Sequence, residues 1–158
     1  LFSDASRIRY PRRADCAGHE NLGEIRSLGS GSETKLGDLL ARAEKELGEG
    51  ASLDFSRDII TQLSCPECGH TTVGGAVLGA VRESQAACPK CKAHRVVEIA
   101  SSVSRGDSLD LDLTLAQLGL PPFDIVVARQ GMDRQQAWLL DGDAATVLGP
   151  LAESWGMQ

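Results

Sequence analysis

Between positions 36 and 47 apolar side chains recur at intervals of three and four: Leu36, Leu39, Leu40, Ala43 and Leu47. That spacing aligns them on one face of a helix, so a helix is expected near 33–47, capped by Ser32 or Thr34. Gly48 and Gly50 supply the stop, because glycine enters the left-handed conformation that ends helices. Elsewhere the pattern changes to strands. "LDF" and "DIITQLS" read as two of them, the second rich in β-branched residues and running into Cys65. "TTVGGAVLGAVRESQAA", 71–87, is a small apolar segment that predicts one strand or two, and "HRVVEIASSV", 94–103, predicts another. "SLDLDLT" alternates Leu109, Leu111 and Leu113 with Ser108, Asp110 and Asp112, the period of a sheet with one wet face. Thr114 then caps a short helix in "TLAQLGL", Pro121 and Pro122 stop it, and "FDIVVAR" and "QQAWLLDGD" follow as strands joined at Gly131.

Helical and sheet segments are mixed without strict alternation, which makes the fold class α+β: small mixed sheets, one main helix and a zinc-ribbon module. The expected division is an N-terminal α+β region over 1–63, the ribbon over 64–104, and a strand–helix–strand–strand region over 105–158. Residues 1–31 read as a strand at 7–10 and then irregular chain, with "GSGS", 29–32, as a turn or linker.

The ribbon assignment rests on "CPECGH" and "CPKCKA", which put Cys65 and Cys68, then Cys88 and Cys91, in two C-x2-C turns. Each such turn brings two sulfurs to one ion, and a second turn completes a tetrahedron at about 2.3 Å per zinc–sulfur bond. Four thiolates leave no position for an activated water, so the expected cofactor is structural zinc, with a rubredoxin-like iron as the alternative for the same ligands. His70 and His94 stand near the turns and are read as surface or outer donors. Pro66 and Pro89 occupy matching places, whereas Gly69 in the first turn is matched by Lys92 in the second, so the two halves are expected to differ. Lys90, Lys92 and Arg95 are placed to offset the charge of the metal–thiolate group.

Composition narrows the function. Hydrophobic residues make up 42% and charged residues 24% of the chain, and no apolar run reaches the roughly 20 residues that cross a bilayer, so no membrane is expected. A net charge of -6 works against nucleic-acid binding, as does the lack of Phe, Tyr or Trp between Cys68 and Cys88 on which bases would stack. The local exception is "RIRYPRR", where Arg7, Arg9, Arg12 and Arg13 meet no acid. The chain opens "LFSDASRIRY", without an initiator Met or the regions of a secretory signal, which reads as a fragment or a processed product. Paired C-x2-C spacings favour metal in a reducing compartment, and the cytoplasm is expected.

The search for catalysis finds little. Cys16 in "DCAGHE", with His19 three residues on, is a packing residue, a thiol nucleophile or half of another metal site. "GSGSETK" lacks the spacing that cradles phosphates, and Asp141 and Asp143 read as a solvated turn rather than a cation site. No catalytic constellation emerges.

"DLTLAQLGLPPFDIVVAR" and "AWLLDGD" resemble the C-terminal portion of bacterial ThiF/MoeB/HesA-type adenylyltransferases, relatives of the ubiquitin-activating enzymes. The resemblance spans at most 65–145. It implies zinc held by Cys65, Cys68, Cys88 and Cys91, and a place after the ATP-binding domain, positioning a ubiquitin-like or sulfur-carrier protein that is adenylated elsewhere. The family's cysteine pairs stand farther apart, and its glycine-rich nucleotide loop, arginine and magnesium-binding aspartate have no match here. The reading that results is a zinc-stabilised, non-catalytic accessory domain that makes protein–protein contacts, with a nucleic-acid-binding ribbon or a Cys16 thiol enzyme as alternatives.

Overall fold

The computed structural model describes residues 22–151. Cys16, His19, the arginine cluster and the strand expected at 7–10 lie outside the described residues. Six strands, β1 (Ile25–Gly31), β2 (Ser52–Ser64), β3 (Thr71–Val77), β4 (Val96–Ser104), β5 (Ile125–Gln130) and β6 (Arg134–Asp141), form one mixed sheet. Three helices accompany them: α1 (Leu36–Leu47), α2 (Leu115–Leu118) and α3 (Ala144–Leu148). The class is α+β.

β2 organises the molecule. "LDF" and "DIITQLS" are one continuous strand, not two, because Ser56 and Arg57 keep the extended path between them. Its first residues, Ser52 to Phe55, pair with β5, and β5 pairs with β6, which runs parallel to β1. Its last residues, Ile59 to Ser64, pair with β3 on the same edge, while β4 follows its other edge along both halves. One strand therefore passes from the main sheet into a three-stranded ribbon, β3–β2–β4.

α1 covers one face of the main sheet. All five residues picked out by the helical period, Leu36, Leu39, Leu40, Ala43 and Leu47, are buried, packed in one cluster with Leu53, Val126, Ala128, Trp138 and Leu140. Each fully buried leucine contributes about 1.5–3 kcal/mol relative to exposure, so this face carries much of the fold's stability. The helix ends at Gly48, whose φ is 117° and whose N–H bonds Glu44 O at 2.8 Å.

Its start differs from expectation. The cap position is Lys35, with no side-chain cap, and Thr34 instead turns its hydroxyl to Gly31 O at 2.8 Å. The free amides of the first turn are met from elsewhere: Leu36 N–H donates to Leu113 O and Gly37 N–H to Leu111 O, both at 2.9 Å. This explains why "SLDLDLT" is not a strand. Its carbonyls are spent on a helix N-terminus rather than on a neighbouring strand, and it turns on itself as Asp112 N–H bonds the Asp110 carboxylate at 2.9 Å. Leu109 is buried, and Leu111 and Leu113 pack at the edge of the core, so the alternation reports burial without strand pairing. Lys35 adds an ion pair to Asp112 at 2.8 Å, which holds that carboxyl below and the ammonium above their ordinary ranges.

Other boundaries also move. β1 lies where irregular chain ending in a turn or linker at 29–32 is expected; only Leu28 and Gly31 of it are buried, as suits an edge strand. α2 is capped as expected, by Thr114 and Gln117 reciprocally, but Gly119 in the left-handed conformation ends it before the prolines. After β3 the segment 78–87 forms two 3-10 turns, Leu78–Ala80 and Glu83–Ala86, rather than a second strand. α3 was not foreseen: Asp143 caps it by accepting from the amides of Ala145 and Thr146 at 3.1 Å each, and the Thr146 hydroxyl and those amides hold its carboxyl below the usual range. Asp141 accepts from Ser27 Oγ at 2.7 Å, so both carboxylates of "LDGD" serve local structure. Among the described residues no helix is long and apolar enough to cross a membrane.

Candidate metal centre

Both cysteine turns sit at one end of the ribbon, because β2 runs into the first and β4 leaves the second. Ser64, one residue before Cys65, pairs with Val96 of β4 and with Thr71 of β3, which brings the turns face to face. Register thus does what neither turn can do alone.

The turns share one backbone. In the first, Cys65 N–H bonds His70 O and Gly69 N–H bonds Cys65 O, both at 2.9 Å; in the second, Cys88 N–H bonds Ala93 O at 2.8 Å and Lys92 N–H bonds Cys88 O at 2.9 Å. Gly69 has φ of 68° and Lys92 of 67°. The expected inequivalence is therefore confined to side chains, and Lys92 adopts a conformation that L-residues enter at a cost. Replacing Lys92 with Gly should raise stability by about 0.5–1 kcal/mol, and Gly69→Ala should lower it by about 1 kcal/mol. Denaturant midpoints of the two variants read the difference.

The four sulfurs lie within 4.8 Å of one another. Cys65 Sγ is 3.4 Å from Cys91 Sγ, and Cys68 Sγ is 3.6 Å from Cys88 Sγ. A tetrahedral zinc with bonds of about 2.3 Å needs sulfurs about 3.8 Å apart, whereas a disulfide needs about 2.05 Å. All four are free thiols spaced to surround one ion. Cys65 and Cys88 are buried, and Cys68 and Cys91 are exposed.

Local amides prepare the sulfurs for negative charge. Burial opposes charge on Cys88, but the amides of Cys91 and Lys90 and the neighbouring thiols outweigh it and lower that thiol to about 6. The Ala93 amide favours a thiolate at Cys91, yet contact with Cys65, burial and the other two thiols push it up to about 12. At Cys68 the His70 amide works in the same favourable sense, as does Cys91, but burial with Cys65 and Cys88 raises the thiol above its ordinary value. Without a cation the cluster cannot hold four charges together; a divalent ion removes that conflict.

Among the described residues, the ligand-type side chains gathered here are the four cysteines, and neither His70 nor His94 joins them. Arg95 also has a structural part. Its guanidinium bonds Ala86 O at 3.2 Å, Gln85 O at 2.8 Å and Thr72 Oγ1 at 2.6 Å, tying the 3-10 segment to the ribbon. No sequence signal marks that tether, since its partners lie nine to twenty-three positions away.

A double irregularity interrupts the pairing within the ribbon. Thr61 is an extra residue relative to β4, and Gly74 and Gly75 oppose it from β3. A Cβ on Gly74 would overlap the Ile60 carbonyl and stand 2.9 Å from Thr61 C, so backbone approach alone demands glycine there. Gly74→Ala is expected to destabilise by about 1–3 kcal/mol through overpacking. Gly79→Ala, with nothing within 4 Å, should change little in the same thermal melt.

On the sheet face opposite α1 lies a cleft of about 530 Å³, with Leu22, Phe123, Ile125 and Val127 in its apolar part. Asp54 and Arg129, joined at 2.5 Å, make its polar wall. Their partnership crosses 75 positions and had no local sequence sign. No family model, curated protein or solved structure matches this chain.

Proposed function

We propose that Cys65, Cys68, Cys88 and Cys91 hold one structural zinc ion, and that the chain is a zinc-stabilised, non-catalytic accessory domain that makes protein–protein contacts. The observation that carries the metal reading is the sulfur geometry: four thiols from two matching turns, with contacts of 3.4 and 3.6 Å across the turns. When bound, zinc supplies charge neutralisation and a crosslink between β2 and β4. The protein's part is to aim backbone amides at the sulfurs and to bury two of them. Thiolates fill the coordination sphere, which gives the ion no site for a reacting water.

The contact role is supported by what the ribbon exposes. Val73, Val96 and Ile99 present apolar surface, with no aromatic platform for bases anywhere in the ribbon. As the partner we propose a ubiquitin-like or sulfur-carrier protein, on the resemblance of 112–129 and 137–143 to the C-terminal portion of ThiF-type enzymes.

Elemental analysis of purified protein tests the metal reading: about one zinc per chain is expected, and iron or no metal overturns it. Calorimetric titration with a small sulfur-carrier protein of ubiquitin fold tests the partner. Binding weakened by Ile99→Lys and Val96→Lys is expected, and absence of binding rejects that partner.

A further inference from the structure

We propose that the cysteine cluster is also a modification site, at which a hydroperoxide drives Cys65 to pair with Cys91 and Cys68 with Cys88, across the two turns, and the metal leaves. The inference rests on the metal reading for its starting state, but its pairing pattern comes from the sulfur positions alone.

The sulfur contacts favour these pairs over the bonds a C-x2-C sequence suggests, and burial sets the order of attack within each pair. The sulfur contacts at 3.4 and 3.6 Å both run between turns. Each of them also joins one exposed sulfur to one buried sulfur: Cys91 to Cys65, and Cys68 to Cys88. An oxidant from solvent meets the exposed member first, while the buried member is shielded and poised to resolve the product.

The chemistry balances as follows. The Cys91 sulfur attacks the O–O bond of hydrogen peroxide, gains one oxygen to become a sulfenic acid, and releases the other oxygen as water. The Cys65 sulfur then attacks the Cys91 sulfur, an S–S bond forms, the S–O bond breaks and a second water departs. Cys68 and Cys88 repeat the sequence with a second peroxide. Four thiols thus lose four electrons to two peroxides, and the cation, deprived of thiolates, passes to solvent. Attack requires each pair to close from its present separation to about 2.05 Å, a local movement of two short side chains.

The outcome differs from ordinary metal loss. Covalent links between the turns keep the ends of β2 and β4 together, whereas the reduced metal-free chain has only strand pairing there. Because a crosslink restricts the unfolded chain, oxidised metal-free protein should melt at a higher temperature than reduced metal-free protein.

The sequence makes the test unambiguous. Glu67 lies between Cys65 and Cys68, and Lys90 between Cys88 and Cys91, so digestion after glutamate and lysine separates all four cysteines. Zinc-loaded Cys16→Ser protein, its metal content measured beforehand, is treated with hydrogen peroxide and followed with a chromogenic chelator and by mass spectrometry. Expected are release of the metal, a mass lower by about 4 Da from loss of two hydrogens per disulfide, and peptides linked Cys65–Cys91 and Cys68–Cys88. Links within a turn, or sulfinic acids without links, overturn the pairing and leave the metal reading intact. No metal before the oxidant is added overturns the metal reading, while the peptide map still decides the pairing.

Discussion

Chelating the metal from this protein is expected to unfold the ribbon while α1 and its leucine core remain folded but less stable. Structural zinc in small domains contributes on the order of 10–16 kcal/mol of apparent folding free energy at neutral pH. The ribbon has little to set against its loss. No Phe, Tyr or Trp occurs between positions 56 and 122, and Val73, Val96 and Ile99 are exposed, leaving Ile59, Ile60, Val77 and Val103 as its large buried groups. Two-dimensional amide NMR spectra should lose the dispersed signals of 59–104 after chelation and regain them with one equivalent of zinc. Cys65→Ser and Cys88→Ser should do the same without a chelator. A spectrum unchanged by verified metal removal would reject the idea. Acid should act in the same direction. Cys91 at about 12 and Cys68 above its ordinary value are protonated in the metal-free cluster at neutral pH, so binding displaces at least those two protons. The bound thiolates therefore stabilise the fold at higher pH and lose the cation as pH falls, with affinity dropping about 100-fold or more per unit.

Trp138→Ala should be the most damaging substitution in the main core. The indole is fully buried between α1 and the sheet, with the Arg42 guanidinium 5.2 Å above its ring. Arg42 is itself held by Leu28 O at 2.5 Å and Glu46 at 3.0 Å, so the ring lies under a fixed cation. Truncation removes that contact and opens a large cavity, costing about 3–5 kcal/mol. Trp138→Phe should cost far less. The indole Nε1 has no hydrogen-bond partner among the described residues, and its removal relieves about 1–3 kcal/mol of unpaired-donor penalty against the lost volume. Denaturation followed by far-ultraviolet circular dichroism separates the two outcomes; equal losses would contradict this account.

The elements that local chemistry could define were legible early. α1 was readable because a five-residue apolar face and a glycine stop act within the helix, and the β5–β6 hairpin because both strands are rich in buried residues around Gly131. The four cysteines of the candidate metal centre were readable as a group because two C-x2-C spacings mark them in the sequence. "SLDLDLT" misled because Leu109, Leu111 and Leu113 are apolar for the sake of the core, while the carbonyls of Leu113 and Leu111 go to Leu36 and Gly37. β1 was missed for the converse reason: its pairing with β6 supplies the order that its polar side chains do not announce.

By itself, then, the sequence determined which side chains seek burial, where one helix stops and which four sulfurs belong together, since each depends on residue types a few positions apart. Tertiary structure decided that β2 is one strand shared by two sheet regions, that Gly74 must lack a side chain, and that the sulfurs of two distant turns meet. Those features arise from backbone register between distant segments, and register is an energy of pairs, which no single stretch of chain contains.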